Sequence, residues 1–311
     1  MKKAICIPFA FEEGMNSGVN LTKKTNTIIS YLKNACVALV SAKKQNLDCD
    51  VILATNMDEE MIPNEFLFIL KNEGILFKKV TFNSFRFKPQ YKWALAFYKL
   101  CVLKYLVEEK YDKICYLDTD VYIQGNFDAI WDESDSYILL YDINHGLNTK
   151  EYVEICKEFT DYYHKKSVIT HYGGEFFCAN YNNAKLFIDV ADKVYLNMIE
   201  RSFETMKGDE FIVSIVANEV KKIVKNASPY ICRFWTGVNF RLVSECYINN
   251  PVLILHIPSE KERGILKIFD KYVKYGKLPN REKVWKICRL NKVPIIDKIA
   301  KIIIDCYKRG S

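Results

Sequence analysis

Two aspartates one residue apart, Asp118 and Asp120, close the apolar run from Ile114 to Leu117. In an extended chain, residues i and i+2 point to the same side, which brings two carboxylates close together. Such a pair repels itself unless a proton or a cation intervenes. Hard divalent cations take oxygen ligands and commonly bridge carboxylates to substrate phosphates. Spacing alone does not single the pair out: with 17 aspartates in 311 residues, chance gives about one Asp-x-Asp, and a second occurs at Asp48 and Asp50. Position separates them. Asp48 and Asp50 fall where a strand begins, whereas Asp118 and Asp120 fall at the carboxyl end of one, where open α/β sheets bind ligands. The alternative for the pair is a solvated turn after a strand.

The elements that must position these aspartates read as alternating strands and helices. Ala4 to Pro8 predicts a strand, and Ile28, Ile29, Leu32, Ala35, Cys36, Leu39 and Val40 recur at helical spacing. Asp50 to Ala54 predicts a second strand, Pro63 to Asn72 a helix closed at Gly74, and Ile75 to Phe82 a third strand. Lys92 to Glu109 reads as a long helix feeding the strand Lys113 to Leu117. Later strands are expected at Tyr137 to Tyr141, Phe176 to Ala179 and Val252 to His256, with helices at Ala184 to Glu200 and Asp209 to Asn218. The pattern implies an α/β fold with a parallel sheet and crossover helices. Neither GxGxxG nor GxxxxGK occurs, which disfavours a dinucleotide-binding dehydrogenase and a P-loop protein.

The run from Tyr111 to Val121, YDKICYLDTDV, resembles the YDKVLYLDxDV signature of nucleotide-sugar glycosyltransferases with the GT-A fold. The nearest likeness is to family 8, which includes glycogenin and bacterial lipopolysaccharide galactosyltransferases. Gly125 to Asp132, GNFDAIWD, is similar to the segment that follows the acidic motif there. The resemblance implies a Rossmann-like, mostly parallel central sheet with flanking helices, and a Mn2+ or Mg2+ ion held by Asp118 and Asp120 with the donor diphosphate, Thr119 lying between them. It further implies a histidine ligand late in the chain, which His256 matches at the end of an apolar run, and a phosphate-binding lysine, which Lys261 matches one place early. The arginine that contacts the donor in the family corresponds to Lys99, and the base-binding position to Pro8, Phe9 and Ala10. Glu210, beside Asp209, replaces the family's glutamine at the reacting face, and Glu175 lies in the acceptor-side loop. These three carboxylates are the candidates for base, nucleophile or oxocarbenium stabiliser.

Eleven cysteines, an odd number without a CxxC pair, argue against a disulfide scaffold, a zinc site and a redox pair, and suit buried thiols in a cytoplasmic protein. No apolar run approaches the ~18 residues of a membrane span. The net charge of +7 is carried by 37 lysines and only 8 arginines, which disfavours nucleic acid as a partner. Residues 260–311 hold 15 basic and 6 acidic side chains, so the charge of 1–259 is close to zero. We therefore divide the chain into a catalytic domain, 1–259, and a basic, aromatic-rich helical tail, 260–311. In that tail Ile295, Ile296, Ile299, Ile302, Ile303 and Cys306 form one helical stripe. Basic residues with interfacial aromatics suit an anionic membrane surface, and the alternative is a helix docked on its own domain. The expected function is transfer of a sugar from a nucleoside-diphosphate sugar, UDP-linked by resemblance, to a glycan or lipid-linked acceptor in cell-surface polysaccharide or lipopolysaccharide synthesis at the inner face of the membrane. The competing readings are a nucleotidyltransferase of related fold and a non-catalytic, membrane-docked nucleotide-sugar-binding protein.

Overall fold

The computed structural model describes residues 1–13, 27–88, 91, 93–144, 149–236 and 252–290, together with Ile299 and Ile303. Four strands begin the main sheet: β1 (Lys3–Phe9), β2 (Asp50–Thr55), β3 (Leu76–Lys79) and β4 (Lys113–Leu117). Helices α1 (Thr27–Gln45), α2 (Asn64–Asn72) and α3 (Tyr98–Glu108) make the crossovers that parallel neighbours require. The sheet runs β3-β2-β1-β4 and continues through β7 (Tyr172–Asn180), β6 (Ile138–Asp142) and β8 (Val224–Asn226). Strands β1 to β4 are mutually parallel, and β7 enters antiparallel to both β4 and β6. The chain thus winds outward from β1 to β3 and returns to the opposite side of β1 at β4. That reversal makes the carboxyl ends of β1 and β4 a topological switch point, where such sheets open a crevice.

Both faces of the sheet are covered, which is why its strands read as near-continuous apolar runs. Along β1, Ile5 and Ile7 join the core beneath α1, while Ala4 and Cys6 join the core that contains Leu103, Leu106 and Phe211. A second sheet of three short strands runs β5 (Val121–Ile123), β10 (Ile254–His256), β9 (Ile231–Arg233), with β10 antiparallel to β5 and parallel to β9. Helices α4 (Asp128–Ser134), α5 (Thr149–Tyr163), α6 (Tyr181–Glu200) and α7 (Asp209–Glu219) complete the body.

The expected third strand stops early, at Lys79, because its partner β2 ends at Thr55. The expected helix from Lys92 begins as a 3-10 turn at Ala94–Phe97 and becomes α-helical only at Tyr98. Strands β5, β8 and β9 were not anticipated, since three residues are too few to show an alternation. Among the described residues eight cysteines are buried and free, including Cys6, Cys115 and Cys178.

Beyond residue 260 the chain continues into α8 (Gly264–Tyr275) and α9 (Arg281–Ile287). Ile265, Ile268, Phe269 and Tyr272 recur at helical spacing and are buried against the α1 side of the sheet, with the Phe269 ring 5.7 Å from that of Phe66. Trp285 Nε1 donates to Gln124 Oε1 at 3.0 Å, and Tyr272 Oη donates to Glu73 Oε1 at 2.7 Å. Of the isoleucine stripe, Ile299 and Ile303 are helical and exposed, and its other members lie outside the described residues. Among the described residues no helix is long and apolar enough to cross a membrane.

Candidate functional site

At the carboxyl end of β4 the chain leaves the main sheet through Asp118-Thr119-Asp120 and enters the small sheet as β5. Asp118 N donates to Glu175 O at 3.0 Å, so β4 is still tied to β7 as it leaves, and Thr119 is buried in the turn. Pairing of β5 with β10 sets His256 opposite Val121, and the ring thereby reaches Asp120. His256 Nε2 lies 3.2 Å from Asp120 Oδ2 and 3.9 Å from Asp118 Oδ2. One ligand atom from each of Asp118, Asp120 and His256 falls within 4.8 Å of the others.

The chemistry of this group suits a divalent cation. Asp120 is sealed from solvent, yet its Oδ1 has no hydrogen-bond partner, while Oδ2 is shared by His256 and by Lys261 Nζ at 3.3 Å. A buried carboxylate oxygen left without a partner is costly unless something else occupies it. Two carboxylates and an imidazole nitrogen offer a mixed oxygen and nitrogen donor set, of the kind that takes Mn2+. Burial opposes ionisation of Asp120, but Lys261 and His256 outweigh it and hold the carboxyl below the usual range. Burial also opposes a charged His256, and Asp120 and Glu175 nevertheless raise its pKa to about 9.

Two further ionic groups flank the aspartates. Lys99, in the first turn of α3, donates to Asp118 Oδ1 at 3.0 Å and lies 2.8 Å from Asp209 Oδ2. Burial pushes the Asp209 carboxyl up to about 6 in spite of Lys99. On the other side Arg233, at the end of β9, forms a fork on Glu175, with Nε to Oε1 at 2.7 Å and Nη2 to Oε2 at 2.6 Å. The same Nη2 reaches Glu210 Oε1 at 3.0 Å, and Glu210 Oε2 meets His171 Nε2 at 3.2 Å. Burial works against the Glu210 charge, but Arg233 and His171 bring its pKa down to about 2. Glu175 Oε1 also faces His256 Nδ1 at 3.2 Å, which joins the Arg233 group to the aspartates.

This crowding is possible because β7 is irregular. Two steps along β6, from Leu140 to Asp142, face five along β7, from Phe177 to Tyr172, and the surplus contains Gly173, Gly174 and Glu175. Bulges re-aim side chains next to functional sites. A Cβ on Gly173 would fall 1.8 Å from Glu175 Oε2, and one on Gly174 2.0 Å from Asp209 Oδ2. The two glycines therefore leave the volume that two site carboxylates occupy.

Asp118, Asp120, His256, Lys261, Lys99, Asp209, Glu175 and Glu210, all singled out in the sequence, are joined with Arg233 in one network of ion pairs. Pro8 and Phe9 end β1 beside Ala54 and Thr55, with Ala10 next along the chain, and Phe9 stacks on Tyr31 with ring centroids 6.0 Å apart. Lys261 Nζ sits 5.6 Å from the same Tyr31 ring, so the β1 terminus adjoins the cation side of the site. Glu175, expected among the catalytic candidates, has a side chain that is 0 % exposed, with its oxygens held by Arg233 and His256. Glu210 is half-buried, its side chain 24 % exposed, with its oxygens held by Arg233 and His171. Arg233 and His171 were missed. A lone cation inside the apolar run Ile231 to Trp235 was a signal for Arg233, because a buried arginine must find a carboxylate; His171 offered none.

No protein-family model matches the chain, and no curated protein matches it. Among solved structures, mouse xyloside xylosyltransferase 1 in its apo form aligns with a TM-score of 0.51 at 10 % identity, over 82 % of this chain and 97 % of that one. The apo bifunctional glycosyltransferase WbbM aligns with a TM-score of 0.55 at 10 % identity, over 92 % of this chain and 51 % of that one, so this chain spans about half of WbbM. At such identity the likeness is one of fold: this chain shares the α/β architecture of both proteins.

Proposed function

We propose that the protein is a metal-dependent glycosyltransferase of the family 8 kind, transferring a sugar from a nucleoside-diphosphate sugar, UDP-linked by resemblance, to a glycan or lipid-linked acceptor. The observation that carries this reading is the convergence of Asp118, Asp120 and His256 at the switch point of the sheet, with Lys261 and Lys99 beside them and the half-buried Glu210 joined to them through Arg233 and Glu175. The fold shared with two glycosyltransferases supports it.

Asp118, Asp120 and His256 would hold Mn2+ or Mg2+, the nitrogen ligand favouring Mn2+. When bound, the cation supplies positive charge to the departing diphosphate. Lys261 adds a fixed ammonium to the same side, stabilising charge that grows as the anomeric carbon–oxygen bond breaks. The end of β1, with Phe9 stacked on Tyr31, offers an apolar wall for the nucleotide base. Glu210 is held ionised by Arg233 and His171, which suits it to oppose positive charge developing on the sugar. Asp209 stands behind, fixing Lys99 against Asp118.

The acceptor reading, in cell-surface polysaccharide or lipopolysaccharide synthesis at the cytoplasmic face of a membrane, is supported by the charge of residues 260–311 and by exposed Ile299 and Ile303 on one helical stripe. A panel of nucleotide sugars, with and without Mn2+ and scored by nucleotide release, tests the activity. Wild-type protein is expected to release nucleotide only with metal, and Asp120→Ala to lose that release while remaining folded. Full turnover by Asp120→Ala would sink the reading.

A further inference from the structure

Three features of Glu175 set it apart from the other site carboxylates. It is fully buried, it lies in the irregular stretch of β7 with two glycines before it, and its two oxygens face three nitrogens: Arg233 Nε, Arg233 Nη2 and His256 Nδ1. A carboxylate spent in this way holds other groups in place. An imidazole carries its nitrogens on opposite flanks of the ring, so a partner fixed on Nδ1 decides where Nε2 points. Here Nε2 points at Asp120 and Asp118.

We propose that Glu175 is a positioning residue for the cation site: it holds His256 through Nδ1, so that Nε2 is presented to the cation, and Arg233 anchors Glu175 in turn. The inference rests on the reading of Asp118, Asp120 and His256 as ligands. Metal-binding histidines commonly donate their second N–H to a carboxylate, which fixes the tautomer and raises ligand basicity, and losing that partner typically weakens metal affinity about 10- to 100-fold. The Arg233 fork gives Glu175 the rigidity this task needs, because two parallel N–H bonds fix both the position and the plane of a carboxylate. The bulge supplies the rest. On this backbone a Cβ at position 173 would fall on the Glu175 carboxylate, and glycine removes that conflict.

The test uses the full chain and reads metal binding directly. Mn2+ dissociation constants are measured from the electron paramagnetic resonance signal of the free ion for wild type, Asp120→Asn, Glu175→Gln and Arg233→Lys. Glutamine has one carbonyl for three donors, so at least one of them meets an NH2 group. Glu175→Gln is expected to weaken Mn2+ binding about 10-fold or more. Arg233→Lys keeps the charge but loses the fork, and is expected to weaken binding by a smaller factor. As a second readout, 15N-histidine spectra with Zn2+ as a diamagnetic probe follow the four histidines of the chain. Wild type is expected to show one ring metallated at Nε2 and hydrogen-bonded at Nδ1, and Glu175→Gln to lose that signature. Mn2+ affinity within twofold of wild type in both Glu175→Gln and Arg233→Lys overturns the inference, even if both variants melt at lower temperature. Failure of wild type to bind Mn2+ overturns the cation site itself, and with it the inference. Tight wild-type binding that Asp120→Asn abolishes and Glu175→Gln leaves intact removes the inference alone.

Discussion

Glu210 and Asp209 are chain neighbours with opposite electrostatic fates, and under the proposed function the difference favours Glu210 as the carboxylate that faces the sugar. Glu210 sits between Arg233 and His171 with an open side and stays ionised, whereas Asp209 is buried and its carboxyl rises to about 6. Glu210→Gln keeps the shape and removes the charge, so we expect nucleotide-sugar turnover to fall by at least about 100-fold with little change in donor KM. Equal turnover in wild type and variant would show that the charge is not used. Arg233→Ala is expected to be far more damaging to folding, by about 3–5 kcal/mol in urea denaturation, because it strands the carboxylates of Glu175 and Glu210. At this scale legibility tracked chain distance. Asp118 and Asp120 share one run and could be read together, but Arg233 meets Glu175 across 58 residues and nothing local to either announces the pairing. His256 is 136 residues from Asp120 and was placed only through a resemblance. The burial of Glu175 depends on an irregularity of β7 that a strand-length apolar run does not reveal.

At the scale of elements, β7 does two separable things, and its two ends allow them to be told apart. Its first residues form the irregular stretch that admits the site carboxylates, while its last, Asn180, caps α6 by accepting from Asn183 N at 2.9 Å. Asn180→Ala should cost about 1 kcal/mol of stability, visible as a lower midpoint in urea, with turnover unchanged. Gly174→Ala should do the reverse. Its Cβ would displace the Asp209 carboxylate, and Lys99 Nζ lies 2.9 Å from the same point, so turnover should collapse by more than the stability loss explains. Comparable activity loss in both variants would mean that β7 acts only as a structural strand. Strands β1, β2 and β4 were legible because both of their faces are buried and their lengths allow an apolar run. Strands β5, β9 and β10, which carry Arg233 and His256 to the aspartates, have three residues each and owe their pairing to tertiary contacts.

For the molecule as a whole, the excess positive charge and the boundary near residue 260 raise different questions. The charge does lie beyond 260, but α8 and α9 are built into the body, where Ile265, Ile268, Phe269, Tyr272 and Val284 join the α1-side core. Burying a large apolar side chain contributes roughly 1.5–3 kcal/mol, so losing five is comparable with the 5–15 kcal/mol that holds a typical domain together. A chain cut after Arg263 is therefore expected to aggregate or unfold, and its failure to bind membranes would say nothing about a membrane anchor. The informative cut falls after Leu290, which leaves α8, α9 and the Trp285–Gln124 bond in place and removes the segment containing exposed Ile299 and Ile303. If that segment docks the protein on an anionic surface, the shortened chain should keep its urea midpoint and any turnover of a soluble acceptor, yet stop floating with phosphatidylserine liposomes. Salt sensitivity adds an internal control: basic side chains near an anionic surface contribute about 1 kcal/mol each and are screened within a Debye length. Flotation of the full chain should therefore decline between low and physiological ionic strength. Flotation that survives removal of residues 291–311 would move the membrane contact to the lysines on the outer faces of α8 and α9, and flotation of neither chain would leave the tail a packing element alone.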